Sequence, residues 1–199
     1  MTLSEGDVHP DPFVQFARWY DEAVAAIAEA ADHMVVATSD PDGRPSARVV
    51  LLRGFDERGL CFYTNYESRK GRELEANPRA ALLLHWAALH RQVRVTGAVS
   101  RLEPTESERY WRNRPRASRL SAWASHQSEP VASRAFLEAE VERLTARFGD
   151  GEVPLPPFWG GYRVAPSDFE LWEHRDDRLH DRLRYTKQAG GWILERLAP

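Results

Sequence analysis

Two short polar clusters in the chain carry side chains of the types that bind anions. The first is the run Ser68-Arg69-Lys70, which supplies a hydroxyl and two cations where a helix is predicted to begin. The second is Tyr110, Arg114 and Ser118, spaced by four residues, so that Tyr110 and Arg114 share a helical face. Helix N-termini bind phosphate through free N–H groups, and guanidinium groups bind it through paired hydrogen bonds. The clusters therefore predict two phosphate sites, with a solvated helix surface as the alternative for each.

A third cluster lies near the C-terminus, where Arg178, His180 and Arg182 alternate with other residues. On a predicted strand, alternate side chains share a face, so these three would lie together. Two cations beside an imidazole repel one another unless an anion or an electron-rich ring lies between them. A ligand-binding face is one interpretation. A solvated edge, balanced by the aspartates at 176–177, fits the spacing equally well.

Five further residues have side chains suited to binding a flat, charged ligand. Arg48 opens a predicted strand, and Gln127 and Ser128 precede a predicted helix. Trp159 and Trp172 are large planar groups that could wall a flat cofactor or fill the core. Together with the two anion-binding clusters, these residues suggest one flat phosphorylated cofactor and one phosphorylated substrate.

The common catalytic and metal-binding motifs do not occur in the sequence. The chain has no GxGxxG, P-loop, HExxH or GxSxG pattern, and its seven histidines lack the spacing of metal ligands. Cys61 stands inside an apolar strand and is interpreted as a small core residue. The sequence therefore predicts neither a metal site nor a cysteine nucleophile.

The composition is that of an ordinary globular protein. The chain has 199 residues, 42% of them hydrophobic, and a net charge of −3. This charge predicts no nucleic-acid or membrane partner, and no apolar run is long enough to span a bilayer. The N-terminus is acidic and polar rather than a signal peptide, and a single cysteine excludes an internal disulfide framework. We therefore expect a soluble cytoplasmic protein.

The elements that must position these clusters follow from periodicity and turn residues. A helix is predicted over 11–31, with Asp11 as its cap and an apolar stripe that includes Val24. The other predicted helices cover 68–76, 103–113 and 130–148. The predicted strands cover 34–38, 46–53, 60–64, 80–86, 91–102, 161–164, 169–174, 179–185 and 192–196.

The order of these elements favours one fold class. Strands do not alternate regularly with helices, so a parallel doubly wound sheet is excluded in favour of an antiparallel, closed or nearly closed barrel with peripheral helices. No linker divides the sequence, so we expect a single domain over residues 1–199, with residues 1–10 flexible.

Several blocks of sequence resemble one known family. From about residue 11 to residue 199 the chain is similar to the pyridoxine/pyridoxamine 5′-phosphate oxidases. The resemblance is strongest in Gly-Glu-Val-Pro-Leu-Pro-Pro-Phe-Trp-Gly-Gly-Tyr-Arg-Val at 151–164 and in Arg-Leu-His-Asp-Arg at 178–182. The other similar blocks are the opening helix and residues 48–52, 62–65, 68–70, 91–93, 114–118, 127–128 and 196–199.

The resemblance implies a mainly β fold with peripheral helices, an FMN-binding split β-barrel that is antiparallel and Greek-key-like. It also implies a homodimer with two FMN molecules between the subunits. The FMN-binding residues that it implies are Arg48, Val49, Val50, Leu51, Leu52, Arg53, Tyr63, Thr64, Arg69, Lys70, Gln92, Gln127, Ser128, Trp172 and Arg182.

The resemblance also implies a reaction and the residues that carry it. Pyridoxamine or pyridoxine 5′-phosphate would be oxidised by O₂ to pyridoxal 5′-phosphate and H₂O₂, with FMN as the redox group. Arg178 and His180 would be the catalytic residues, contacting the substrate ring and its reacting C4′ substituent. The implied substrate-binding residues are Arg53, Tyr110, Arg114, Ser118, Arg178 and His180.

Two departures from the family and two alternative functions accompany this reading. The family usually has Lys where this chain has Arg53, and its basic N-terminal arm has no counterpart in the acidic residues 1–10. One alternative is a sister flavin oxidase of the phenazine-pathway type, which would have no need for the phosphate set at Arg114. The other is a non-catalytic flavin-binding protein, which would have no need for Arg178 and His180.

Overall fold

The computed structural model describes residues 3–199. This part of the chain contains no helix long and apolar enough to cross a membrane. Its α-helices are α1 Pro12–Ile27, α2 Arg69–Ala76, α3 Pro104–Asn113, α4 Arg116–Ala124 and α5 Arg134–Phe148. Its strands are β1 His33–Ser39, β2 Pro45–Leu51, β3 Gly54–Asp56, β4 Gly59–Asn65, β5 Arg79–Trp86, β6 Arg91–Arg101, β7 Trp159–Glu173, β8 Asp181–Gln188 and β9 Gly191–Arg196.

The strands of the described residues form one curled antiparallel sheet, which confirms the predicted mainly β, antiparallel class. Its order is β2-β1-β5-β6-β7-β4-β3, with β8 added to β7 and β9 added to β8. Strand β7 joins the two predicted strands at 161–164 and 169–174 into one. Its first half pairs with β4 and its second half with β8, while β6 runs along its other edge.

The main core lies between the sheet and α1. Alternation along β1, β5 and β6 buries Met34, Leu82 and Val93, among others, against Phe16 and Trp19 of α1. Fully burying an aliphatic or Phe side chain contributes about 1.5–3 kcal/mol. Cys61 belongs to the buried residues, as predicted, and burial raises the pKa of its thiol to about 11.

Helix α1 begins as predicted but ends earlier. The Asp11 side chain accepts a hydrogen bond from the backbone N–H of Phe13 at 2.8 Å, and the helix ends at Ile27 before a 3₁₀ turn over 28–32. The buried stripe includes Trp19, whereas Val24, which we expected to be buried, is 42% exposed. The apolar face is therefore rotated relative to the predicted one.

A second, smaller core supports α3, α4 and α5. Trp111, Leu120, Leu144 and Trp159 are buried together, and the Trp111 indole N–H donates to the carbonyl of Val153 at 2.9 Å. Helix α5 begins at Arg134, four residues after the predicted start, because Ser133 caps it by accepting from the N–H of Phe136. This core fixes the helices that carry the Tyr110–Ser118 cluster.

The N-terminal segment packs on the last two strands. Leu3 is buried, the carbonyl of His9 accepts from the Tyr185 hydroxyl at 2.7 Å, and Arg196 forms an ion pair with Glu5 at 2.8 Å. These contacts over residues 3–10 differ from the flexible segment that we expected at 1–10. Residues 1–2 lie outside the described residues.

Candidate active site

A cavity of about 530 Å³ lies between β2, β4 and the α3–α4 pair. It brings together most of the predicted site residues from distant parts of the sequence. Its lining consists of Val49, Val50, Leu51, Arg53, Tyr63, Thr64, Asn65, Lys70, Tyr110, Arg114, Ala117, Ser118, Ser121, Ala122, Ser125, Gln127 and Trp159. The two predicted anion-binding clusters therefore open onto a single cavity, through Lys70 in one case and through Tyr110, Arg114 and Ser118 in the other.

The start of α2 holds Lys70 in this wall. Ser68 caps the helix by accepting a hydrogen bond from the N–H of Gly71, and its own hydroxyl donates to the carbonyl of Asn65. A Cβ atom on Gly71 would lie 1.9 Å from the carbonyl oxygen of Tyr66, so only glycine permits this close packing. The cap and the glycine together fix where the Lys70 side chain enters the cavity.

Lys70 is a nearly buried cation without an acidic partner. Its Nζ donates to Thr64 Oγ1 at 3.0 Å and to Gln127 Oε1 at 2.9 Å. No carboxylate within residues 3–199 lies within ion-pair distance of it. Burial lowers the pKa of Lys70 to about 8; the positive charge of Arg48 adds to this shift, and the negative charge of Glu73 opposes it. A bound anion would compensate this desolvated charge.

Arg114 is the second cation of the cavity that has no acidic partner within residues 3–199. Helix α3 ends at Asn113, as predicted, and Pro115 precedes α4, a helix that the sequence analysis did not predict, so that Arg114 lies at the junction. Its Nη2 makes a long contact of 3.4 Å to the carbonyl of Ser118, and its buried Nε has no hydrogen-bond partner within the described chain. Its guanidinium carbon lies 4.9 Å from the ring centroid of Trp159. Arg114 is therefore held by an aromatic face, with N–H groups left for an anion.

Parallel aromatic rings form one wall of the cavity. The ring centroids of Tyr63 and Tyr110 are 3.8 Å apart with 7° between the planes, and Trp159 lies parallel to Tyr63 at 5.6 Å. Burial raises the pKa of Tyr63 to about 12, so its hydroxyl stays protonated at neutral pH. The wall offers a neutral hydrogen-bond donor beside the two cations.

Strand β2 and the residues after it form the opposite wall. Val49 is 62% exposed and Leu51 38%, whereas the Leu52 side chain points into the core. Arg53 lines the cavity, and its Nη1 donates to Asp32 at 2.8 Å. Asp32 also accepts from the Tyr20 hydroxyl, so this carboxylate anchors one end of the Arg53 guanidinium.

Seven predicted FMN-binding residues lie outside the lining: Leu52 in the core, Gln92, Trp172 and Arg182 on neighbouring strands, and Arg48, Arg69 and Ser128. Arg48 points away from it, donating to Thr38 Oγ1 at 2.6 Å and to Glu73 at 3.3 Å. The Nε of Arg69 donates to Glu73 at 2.8 Å. Ser128 is exposed in a turn with a left-handed φ of 76°.

The remaining predicted residues form a second group away from the cavity. Gln92, Trp172 and Arg182 are aligned as direct neighbours across β6, β7 and β8. The ring of His180 lies 4.7 Å from that of Trp172, and its Nδ1 accepts from the backbone N–H of Arg175 at 3.0 Å. When neutral, this imidazole therefore carries its proton on Nε2.

The prediction that Arg178, His180 and Arg182 share a strand face is wrong. Strand β8 begins only at Asp181, and Arg178 lies in a turn with a left-handed φ of 68°. The turn forms because the Asp177 carboxylate accepts from the backbone N–H of Leu179 at 3.0 Å. Arg178 is consequently exposed at the tip of a turn.

Two carboxylates that the sequence analysis missed, Asp32 and Glu73, hold predicted site arginines. Glu73 stands four residues after Arg69 in α2, a helical spacing that could have suggested this ion pair. Asp32 and Arg53 are brought together by the pairing of β1 with β2, and no local signal marks their contact.

Comparisons with known proteins show the family to which this chain belongs. Residues 20–148 match the pyridoxamine 5′-phosphate oxidase family, and residues 159–199 match the C-terminal dimerisation region of pyridoxine 5′-phosphate oxidases. The chain therefore belongs to the pyridoxine/pyridoxamine 5′-phosphate oxidase family, which confirms the resemblance found in the sequence.

Individual relatives cover nearly the whole chain. The pyridoxine/pyridoxamine 5′-phosphate oxidase of Rubrobacter xylanophilus is 55% identical over 99% of this chain and 91% of its own length. That of Burkholderia multivorans is 53% identical over 100% and 94%. The structure of PhzG from Burkholderia lata, in complex with tetrahydrophenazine-1-carboxylic acid, has a TM-score of 0.92 and 34% identity, covering 100% of this chain and 98% of that one. The split β-barrel expected from the resemblance is confirmed.

Proposed function

We propose that this protein is a cytoplasmic, homodimeric oxidase that binds FMN and converts pyridoxamine or pyridoxine 5′-phosphate to pyridoxal 5′-phosphate, with O₂ reduced to H₂O₂. The observation that carries the proposal is the single cavity with two cations, Lys70 and Arg114, that have no carboxylate partner in residues 3–199. Two separate anion sites fit one phosphorylated cofactor and one phosphorylated substrate. The 53–55% identical relatives bear the name of this activity.

The Lys70 side of the cavity fits the FMN phosphate. Lys70 supplies a charge already ordered by Thr64 and Gln127, at the start of a capped helix whose dipole favours an anion. Arg69 neighbours it, and Val49 to Leu51 supply apolar surface for a flat ring. When bound, FMN supplies the hydride acceptor and the reaction with O₂.

The Arg114 side fits the substrate phosphate. The free N–H groups of Arg114 and the hydroxyls of Tyr110 and Ser118 would bind its oxygens through charge-assisted and neutral hydrogen bonds. Arg53, anchored by Asp32, would add a second positive charge at the opposite wall. Fixing the substrate phosphate at Arg114 and the cofactor phosphate at Lys70 would orient the substrate ring on the cofactor ring.

A second subunit would complete the site. Five predicted site residues do not line the cavity of their own chain: Gln92, Trp172, Arg178, His180 and Arg182. Most of them lie in the matched dimerisation region. We infer that the partner subunit's copy of this group faces the cavity. Its Arg178 would lie over the substrate ring, and its His180 would present Nε2–H to the C4′ substituent. This arrangement excludes water and restricts the ring to a reactive orientation.

A flavin oxidase acting on a phenazine-type ring is the second candidate, favoured by the TM-score of 0.92 to PhzG. One experiment separates the two. The purified protein should show a flavin absorbance spectrum that bleaches without air on adding pyridoxamine 5′-phosphate, and recovers with air. Bleaching by tetrahydrophenazine-1-carboxylic acid but not by pyridoxamine 5′-phosphate would support the second candidate, and a colourless protein that does not bind FMN would refute both.

A further inference from the structure

Glu73 is a buried carboxylate on which four donors from three elements converge. Thr38 of β1 and Ser46 of β2 donate their hydroxyls to Oε2, and Arg48 of β2 donates Nη2 to the same oxygen at 3.3 Å. Arg69 of α2 donates Nε to Oε1 at 2.8 Å. The Glu73 side chain is only 5% exposed. Its negative charge is thus balanced by two arginines that the family resemblance implies are FMN-binding residues.

Glu73 binds these two arginines in different ways. Arg48 is enclosed, because its Nη1 and Nη2 also donate to the carbonyl of Val36 and to the two hydroxyls. Arg69 is 57% exposed and gives Glu73 only its Nε. Both terminal nitrogens of Arg69 are left without a protein partner in the described chain. A guanidinium held from its Nε side presents those two N–H₂ groups as a fork, the geometry that binds a phosphate.

The two free N–H₂ groups of Arg69 are close in sequence to a residue of the cavity wall. Arg69 is the first residue of α2, and Lys70, the next, has its Nζ in the cavity wall. The charges of both Arg48 and Glu73 act on Lys70. The network is therefore joined to the proposed flavin-phosphate site through the adjacent residues Arg69 and Lys70 at the start of α2.

We propose that Glu73 is a positioning residue for cofactor binding: it holds Arg69 by Nε so that its terminal N–H₂ groups contact the flavin phosphate beside Lys70. The proposal rests on the proposed function. It differs from a purely structural role, in which Glu73 only fastens α2 to β1 and β2. It also differs from a purely electrostatic role, in which this anion would weaken the binding of a phosphate.

The test compares FMN with riboflavin, which has the same ring system but no phosphate. Dissociation constants for the apoprotein are measured by quenching of flavin fluorescence, for the wild type, Glu73→Gln and Glu75→Gln. Glu75 lies on the same helix with its side chain 71% exposed, and within residues 3–199 it forms an ion pair only with Arg101, so it is a matched control. We expect Glu73→Gln to weaken FMN binding about tenfold, to change riboflavin binding less than about twofold, and Glu75→Gln to change neither.

Arg69→Ala provides a second, independent measurement because this half-exposed side chain can be removed without opening the core. It should weaken FMN binding selectively, and adding Glu73→Gln in that background should have little further effect. Equal loss of FMN and riboflavin binding in Glu73→Gln, a gain in FMN affinity, or additive effects in the double variant would overturn the proposal. A wild-type protein that does not bind FMN would instead overturn the proposed function.

Discussion

The pKa of Lys70 predicts how FMN binding depends on pH. Burial lowers this pKa to about 8, and of the charged groups around the amine, Arg48 lowers it further whereas Glu73 raises it. Thr64 and Gln127, its hydrogen-bond partners, are neutral. Because the protonated amine binds the phosphate dianion, whose own second pKa is about 6, FMN affinity should be highest near pH 7 and fall as the pH rises through 8.

The size of this effect follows from the protonated fraction of the amine. With a pKa of about 8, Lys70 is about nine-tenths protonated at pH 7 and about one-tenth protonated at pH 9. The FMN dissociation constant of the apoprotein should therefore rise about tenfold between those two pH values. Riboflavin should show no such change, and Lys70→Arg should bind FMN with a flat profile because a guanidinium stays charged.

The stability of the apoprotein should change in the opposite direction. The pKa of Lys70 is lower in the folded protein than the 10.5 of an exposed lysine, so the unfolded chain binds more protons between about pH 8 and 10.5. The contribution of Lys70 to the free energy of unfolding thus increases with pH over the range in which FMN is lost. An FMN dissociation constant that is independent of pH from 7 to 9.5 would refute the assignment of Lys70 to the phosphate.

Three substitutions test other parts of the site. Arg114→Ala should raise KM for pyridoxamine 5′-phosphate about 10- to 100-fold in steady-state assays, because it removes a charge-assisted contact of about 1.5–3 kcal/mol. The control is Arg112→Ala, which changes a residue on the exposed face of α3. An unchanged KM would exclude Arg114 from the pocket. Gly71→Ala should lower the free energy of unfolding by about 1–3 kcal/mol in urea titrations, since its Cβ would lie 1.9 Å from the Tyr66 carbonyl, whereas Gly190→Ala, in open space, should not. Arg178→Ala should lower kcat about tenfold or more while the protein stays yellow, and loss of flavin would contradict its assignment to the substrate side.

The anion-binding clusters could be predicted from sequence because each depends on local signals. Ser68 and Gly71 set the start of α2, and Pro115 separates α3 from α4 just after Arg114. Helix caps and proline breaks depend on only a few neighbouring residues, so they can be predicted without knowledge of the rest of the fold. That both clusters open onto one cavity depends on the pairing of β4 with β7, which the spacing of residues does not specify.

The arrangement of the second group of predicted site residues, around Trp172 and His180, could not be predicted from local signals. Its alignment depends on register between strands far apart in the chain, as in the pairing of Gln92 with Trp172. The alternation of residue types over 178–182 predicts a strand, but a short turn can carry the same alternation, as it does at Arg178. The hydrogen bond from Leu179 to Asp177, which ends that alternation, is a side-chain effect that competes with strand formation.

Strand β7 connects the cavity to the His180 group of the same chain. Trp159 at its first residue belongs to the cavity, and Trp172 near its end belongs to the His180 group. Thirteen residue steps of extended backbone separate the two indoles, a contour of about 40 Å. A strand of this length keeps the cavity and the His180 group apart within one chain, so under the proposed function an intact site would take one group from each of two subunits.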